Sequence, residues 1–200
     1  MKKRTAEFIK STAAGIMISI GGAAFLSCEN RYVGALLFCV GLISVVALGF
    51  NLYTGKIGYV LDNDGAFFAD TLLSVIGNFV GCLAVGLLLP PVGNVAALTA
   101  AKLEKGLLTT FINAVMCGLL IYVCVEIYKR KNTFVGILFC VPTFILCGFE
   151  HSVADMFYFI NAGNLSGAVF VFLLTVIAGN AVGGLFFPLL AKIANKLEKQ

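Results

Sequence analysis

A chain of two hundred residues is long enough for one domain, and its composition excludes a soluble one. Apolar residues make up 60% of the chain and charged residues 12%, whereas soluble domains carry roughly 25% charged residues. The net charge is only +4. A chain with this composition would expose large apolar patches to water, which excludes an ordinary cytosolic enzyme, a disordered protein and a nucleic-acid-binding protein. We therefore expect one membrane domain over residues 1–200 whose outer surface contacts the lipid bilayer.

Six charge-free runs divide the chain in order. A spanning helix needs about 20 apolar residues, and the strands of a membrane barrel would alternate polar and apolar residues. The sequence therefore predicts an all-α membrane protein with six transmembrane helices. The runs are Ser11–Cys28, Tyr32–Gly55, Thr71–Ala101, Gly106–Val125, Asn132–Phe149 and Met156–Ala191.

The first run follows a short basic segment, as a signal peptide does. Its length and the membrane character of everything after it favour an uncleaved first helix. With six spans, ten basic residues fall on one side, which the positive-inside rule assigns to the cytoplasm. We expect a multi-pass protein of the cell membrane with both termini in the cytoplasm. The ten residues are Lys2, Lys3, Arg4, Lys10, Lys129, Arg130, Lys131, Lys192, Lys196 and Lys199.

The third and sixth predicted helices contain similar segments. Residues Gly77–Leu83 and Gly179–Leu185 share five of seven residues. The offset is three helices, an odd number, so the two copies would have opposite orientations in the membrane. Such inverted repeats, here about 8–90 and 106–191, are typical of transporters. The alternative is two unrelated motifs in which small residues permit close helix packing.

Spans two and five are each interrupted by polar residues, at Asn51–Lys56 and at Gly148–Asp155. Non-helical backbone within a membrane is tolerated only in protein or beside a water-filled cavity. A pair of such breaks, one in each half, predicts a binding site near the midplane. We therefore expect broken second and fifth helices with a functional site between them.

The second break contains His151, the only histidine of the chain. Ionisable groups inside a membrane are costly and indicate function, although a structural hydrogen-bonding role is the common alternative for a lone histidine. We interpret Glu150 as a structural residue that caps backbone N–H groups at the break, and Asn51 as its structural counterpart. Asp155 is open to either interpretation.

No cofactor or metal site is expected. Seven cysteines occur without a Cys-x-x-Cys pair and with a single histidine, which makes a zinc site improbable. Phosphate-binding loops, dinucleotide fingerprints and nucleophile elbows do not occur. The sequence therefore favours neither ATP-driven transport by this chain alone nor a membrane-embedded enzyme.

The break regions resemble those of the formate/nitrite transporter family. Gly148–Phe157 is similar to the family's histidine signature, with Asp155 where asparagine is usual. Asn51–Gly55 is similar to its broken second helix, and the glycine–asparagine segments are similar to its third and sixth helices. The resemblance covers essentially the whole chain.

The resemblance implies a homopentamer of aquaporin-like protomers, each of which passes small monovalent anions such as formate, nitrite or hydrosulfide, often with a proton. It implies a polar centre at Thr54 and His151, and a Lys102 that attracts anions at the outer vestibule, a role that Lys105 could also fill. Hydrophobic constrictions would flank this centre. They are expected at Phe38, Leu52 and Phe144 on the outer side, and at Leu42, Tyr53 and Ile121 on the inner side.

Two further departures from the family pattern affect these expectations. Gly118 stands where the family has an asparagine, so a polar pore contact is expected to be lost. Tyr53 replaces a phenylalanine and adds a hydroxyl group to the inner constriction. A channel of aquaporin type for small neutral solutes remains the alternative function, although its paired Asn-Pro-Ala motif is missing from the sequence.

Overall fold

The computed structural model describes residues 2–199, and its regular secondary structure within that range is entirely helical. Met1 and Gln200, the ends of the expected domain, lie outside the described residues. A 3₁₀ turn over Ile57–Asp62 follows α4 directly. The α-helices are α1 Lys2–Ser27, α2 Arg31–Leu37, α3 Cys39–Ala47, α4 Tyr53–Lys56, α5 Gly65–Leu88, α6 Val95–Glu104, α7 Leu107–Lys131, α8 Val135–Leu146, α9 Ser152–Asn161 and α10 Gly167–Leu197.

Helices α1, α5, α7 and α10 are each long and apolar enough to cross a membrane. The remaining apolar stretches are divided among shorter helices. Large apolar side chains lie on the outside, with Leu88 82% exposed and Leu108 74% exposed. An exterior of this kind suits contact with lipid or with other subunits rather than with water.

The run Tyr32–Gly55, in which an interruption was expected, is divided among α2, α3 and α4. Two further charge-free runs do not form single helices, and the helix boundaries predicted for those two are wrong. The run Thr71–Ala101 is divided into α5 and α6, because Pro90 and its neighbour end the helical hydrogen bonding. The run Met156–Ala191 contains most of α9, a turn at Gly163 with φ +69°, and then α10. Absence of charge marks apolar surroundings, but it does not mark where a helix ends.

The two long helix pairs, α1 with α5 and α7 with α10, pack in closely similar ways. A Cβ atom at Gly77 would lie 2.5 Å from the Cβ of Ser11, and one at Gly179 would lie 2.5 Å from the Cβ of Ala114. Each contact leaves no room for a side chain. The repeated glycines therefore allow two equivalent close approaches between helices.

Gly118 belongs to the second of these contacts. A Cβ atom at Gly118 would lie 2.5 Å from the carbonyl oxygen of Asn180, and one at Gly15 would lie 2.2 Å from that of Asn78. Both positions face a neighbouring helix backbone. A side chain at Gly118 would therefore meet α10, and the loss of a polar pore contact there stays a prediction.

The Gly179 contact predicts the effect of a single added methyl group. Gly179→Ala should lower the free energy of unfolding, because overpacking costs about 1–3 kcal/mol and exceeds the gain of about 1 kcal/mol from replacing a helical glycine. Gly167→Ala is the matched control, since nothing lies within 4 Å of its added Cβ. Thermal unfolding in one detergent measures both, and equal midpoints for the two variants would contradict the close contact.

Candidate functional site

Helix α3 ends in a tight turn just before the first break, Asn51–Lys56. Gly49 adopts φ +66°, a left-handed conformation that glycine reaches without steric cost. The N–H of Phe50 donates to the carbonyl of Val45 at 2.9 Å. This six-to-one hydrogen bond with a left-handed glycine is the Schellman helix end.

Helix α8 ends in the same kind of turn at the start of the second break, Gly148–Asp155. Gly148 adopts φ +70°, and the N–H of Phe149 donates to the carbonyl of Phe144 at 2.9 Å. The dipeptide Gly-Phe thus terminates both helices. The sequence already contains this match between the two breaks, as Gly49-Phe50 and Gly148-Phe149.

After the first turn the chain enters α4, and Asn78 of α5 binds the backbone on both sides of the break. Its Oδ1 accepts from the N–H of Tyr53 at 2.9 Å. Its Nδ2 donates to the carbonyl of Asn51 at 3.0 Å and to that of Ser11 at 2.7 Å. One amide side chain therefore joins α1, α5 and the broken segment.

Asn180 of α10 makes the corresponding contacts at the second break. Its Oδ1 accepts from the N–H of Ser152 at 2.9 Å. Its Nδ2 donates to the carbonyl of Glu150 at 2.9 Å and to that of Ala114 at 2.8 Å. We call these two residues with their contacts the asparagine clamps. From the sequence, the repeated Gly-Asn pairs were interpreted as part of an inverted repeat, with packing motifs as the alternative, and these hydrogen bonds were not predicted.

His151 and Thr54 join the two breaks. Nε2 of His151 lies 3.0 Å from Oγ1 of Thr54, and both side chains are buried. Nδ1 of His151 accepts from the N–H of Ala154 at 3.2 Å and caps α9. An accepting Nδ1 carries no proton, so in the neutral ring Nε2 carries it and donates to Thr54.

Two phenylalanines extend this contact. The ring of Phe144 stacks on the ring of His151 with centroids 5.6 Å apart and an interplanar angle of 18°. Phe38 meets Phe144 edge to face at 5.8 Å. The polar pair of His151 and Thr54 is therefore bounded on one side by aromatic rings.

Two cavities lie on either side of this region. The amino-terminal cavity has a volume of about 420 Å³ and includes Lys3, Leu42, Leu52 and Lys129 in its lining. The Lys102 cavity has a volume of about 330 Å³, and its lining includes Arg31, Lys102, Phe144, His151 and Asp155.

The residues expected at the constrictions have different surroundings in the structure, and their roles stay predictions. Leu52 lies with Leu42 in the lining of the amino-terminal cavity rather than with Phe144. The hydroxyl of Tyr53 donates to the carbonyl of Ile177 at 3.0 Å, so it binds α10. Ile121 is buried and contributes to neither lining.

Four charged side chains form a cluster at the Lys102 cavity. Nζ of Lys102 pairs with Oε2 of Glu150 and lies 2.9 Å from Oδ1 of Asp155. Nζ of Lys105 lies 2.8 Å from Oε1 of Glu150. Two positive and two negative groups therefore balance, and Lys102 does not stand as an isolated cation.

This cluster corrects the capping role expected for Glu150. Glu150 binds the two lysines, and the side chain that caps the start of α9 belongs to His151. Lys102 lies on α6, which Gly106 separates from α7 with φ +75°. Sequence reasoning also missed the pairing of Lys105 and of Asp155.

Among residues 2–199, no group of three or more histidine, cysteine, aspartate or glutamate side chains could hold a metal ion. The cysteines of that range are free thiols. The site is therefore built from hydrogen bonds, aromatic rings and one charge cluster.

Comparison with known proteins gives the family. The family model described as formate/nitrite transporter matches residues 2–194. This chain belongs to the formate/nitrite transporter family. It is accordingly a multi-pass membrane protein of a family that transports small anions.

Its relatives are channels and transporters. A probable formate transporter of Methanothermobacter thermautotrophicus is 29% identical over 90% of this chain and 84% of its own length. The nitrite transporter NirC of Escherichia coli is 27% identical over 90% of this chain and 80% of its own length.

Two solved structures share the fold. One, an FNT family ion channel, has a TM-score of 0.77 and 24% identity, covering 92% of this chain and 86% of its own. The other, a pentameric formate channel with formate bound, has a TM-score of 0.76 and 22% identity, covering 98% of each chain.

The second asparagine clamp predicts a large stability effect. Asn180→Leu should lower the free energy of unfolding, because it leaves the N–H of Ser152 and two carbonyls without their partner at about 1–3 kcal/mol for each buried group. Asn63→Leu is the control, since exposed Asn63 makes one hydrogen bond, to the carbonyl of Tyr59. Thermal unfolding compares the two, and equal losses of stability would contradict the clamp.

Proposed function

We propose that this chain passes small monovalent anions, or their weak acids, across the cell membrane with a linked proton. The observation that carries the proposal is the pair of His151 and Thr54 between two cavities. Leu52 of the amino-terminal cavity lies two residues before Thr54, and His151 lines the Lys102 cavity. The two cavities would then be the ends of one pathway through the protomer.

The apolar surroundings of this centre favour a neutral form of the substrate. A bare anion taken from water into an apolar passage loses its hydration at a high cost in free energy, whereas a neutral acid loses much less. Leu42, Phe38 and Phe144 supply such surroundings beside the polar pair. Formate, nitrite and hydrosulfide all accept a single proton, so each can cross as a neutral acid.

We further propose six spans in two inverted repeats, about 8–90 and 106–191, with α2–α4 and α8–α9 as the broken second and fifth spans. The equivalent asparagine clamps and Gly-Phe helix ends support this arrangement. The asymmetric distribution of lysine and arginine supports cytoplasmic termini. The fold shared with a pentameric formate channel supports a homopentamer.

Proteoliposome flux tests the transport proposal. We expect uptake of formate, nitrite or hydrosulfide above that of empty liposomes, and little uptake of lactate or glycerol. Thr54→Val should lower anion flux about fivefold, since it removes a hydrogen bond worth about 1 kcal/mol from the centre of the pathway.

Thr143→Val is the matched control for this substitution. Thr143 is exposed, its hydroxyl donates to the carbonyl of Phe139 at 2.8 Å within α8, and it lines neither cavity. It should carry anions at the wild-type rate. Uptake of glycerol without uptake of any anion would contradict the proposal and favour the aquaporin alternative.

A further inference from the structure

Asp155 is the charged group of the Lys102 cavity whose bonding is least complete. The residue is 1% exposed and forms part of the cavity lining. Oδ1 lies 2.9 Å from Nζ of Lys102, yet neither carboxylate oxygen accepts a hydrogen bond of good geometry from any described residue. A buried carboxylate without such donors is costly, and a proton removes most of that cost.

Within the described part of the chain, Asp155 has only one cationic partner, and it shares that partner with Glu150. Lys102 of α6 is shared between Asp155 and Glu150, and Lys105 binds Glu150 rather than Asp155. An anion that approached Lys102 would add a third negative charge to two positive ones. The titratable groups that face Asp155 are Lys102, Lys105, Glu150 and Tyr158, with the thiol of Cys117 from α7.

His151 lies on the same cavity but is poorly placed to take up a proton. Its Nδ1 already accepts the N–H of Ala154, and its Nε2 is bonded to Thr54. A second proton on the ring would occupy Nδ1 and break the cap of α9. The first turn of α9 therefore holds His151 neutral and leaves the Asp155 carboxylate, paired with Lys102, as the proton acceptor in the cavity.

We propose that Asp155 is the proton-binding site of transport in this chain. An anion that binds at Lys102 displaces the Asp155 carboxylate, which takes up a proton from the aqueous solution outside the cavity and becomes a neutral carboxyl group. The carboxyl then gives this proton to the bound anion. The anion leaves as its neutral acid, and the Asp155 carboxylate pairs with Lys102 again. The proposal rests on the proposed function, since it names the group that links the proton to the anion.

The substitution Asp155→Asn is informative, because it introduces the residue that the resembling family usually has at this position. Asparagine is usual in the family where Asp155 stands, and the amide has nearly the same shape as the carboxylate. Asp155→Asn should therefore fold while losing the proton site, and Asp155→Glu should keep a carboxyl group. Glu29→Gln is the control, because Glu29 is exposed near α2 and lines neither cavity.

Two measurements on the purified full chain test the proposal. The first is nitrite flux into proteoliposomes as a function of pH. Wild type, Asp155→Glu and Glu29→Gln should carry more nitrite as the pH falls, whereas Asp155→Asn should lose this rise. The second is the infrared difference spectrum on adding nitrite, which has no carbonyl group of its own. A protonated carboxyl band should form in the wild type and disappear in Asp155→Asn.

The infrared band distinguishes a failure of the proton-binding role of Asp155 from a failure of the proposed transport function. Nitrite flux by the wild type without this band, or an Asp155→Asn variant that keeps either the band or the wild-type pH profile, would overturn the role of Asp155 and leave the transport function standing. A wild type that carries none of the anions would instead contradict the proposed function. Should Asp155→Asn fail to fold, a band that shifts in Asp155→Glu identifies the same carboxyl, and an unshifted band overturns the proposal.

Discussion

Backbone N–H and C=O groups that are released where a helix breaks need hydrogen-bond partners, because water is scarce inside a membrane protein. Asn78 and Asn180 provide these partners with one amide side chain at each break. Each amide accepts from the residue that begins the new helix and donates to the carbonyl two residues before it. The broken segments therefore keep fixed positions without a continuous helix.

The rest of the site depends on these two clamps. Gly77 and Gly179 stand directly before the asparagines and let α5 and α10 approach α1 and α7 closely enough for the amides to reach Ser11 and Ala114. The clamps then place α4 and α9 so that Thr54 and His151 meet at 3.0 Å. Helix packing, the two breaks and the polar centre are thus one connected arrangement.

Much of this arrangement could be predicted from the sequence. Charge-free runs indicated a helical membrane protein, and polar residues marked the segments between α3 and α4 and between α8 and α9. The repeated Gly-Asn pairs were found, but their role was not, because a sequence does not reveal which backbone groups lack partners. Tyr53 and Gly118 were assigned to the pathway by family pattern, whereas the partner of the Tyr53 hydroxyl and the close approach at Gly118 depend on how α4 and α7 pack against α10.

The charge cluster was the least predictable part. Lys102, Lys105, Glu150 and Asp155 come from two segments more than forty residues apart, and their pairing depends on α6 forming a separate helix beside α9. Since the four charges balance, Lys102 is better understood as one partner in an ion-pair network than as an isolated attractor of anions. Such a network keeps a cation at the cavity and still allows an entering anion to compete for it.

Residue-resolved hydrogen exchange in lipid nanodiscs tests the asparagine clamps most directly. The backbone N–H groups of Tyr53 and Ser152 lie in the first turns of α4 and α9, where an N–H has no partner within its own helix. Our account predicts slow exchange at both residues, because Asn78 and Asn180 accept from them in a buried site. Exchange as fast as that of Gly167, which begins the exposed end of α10, would contradict the account.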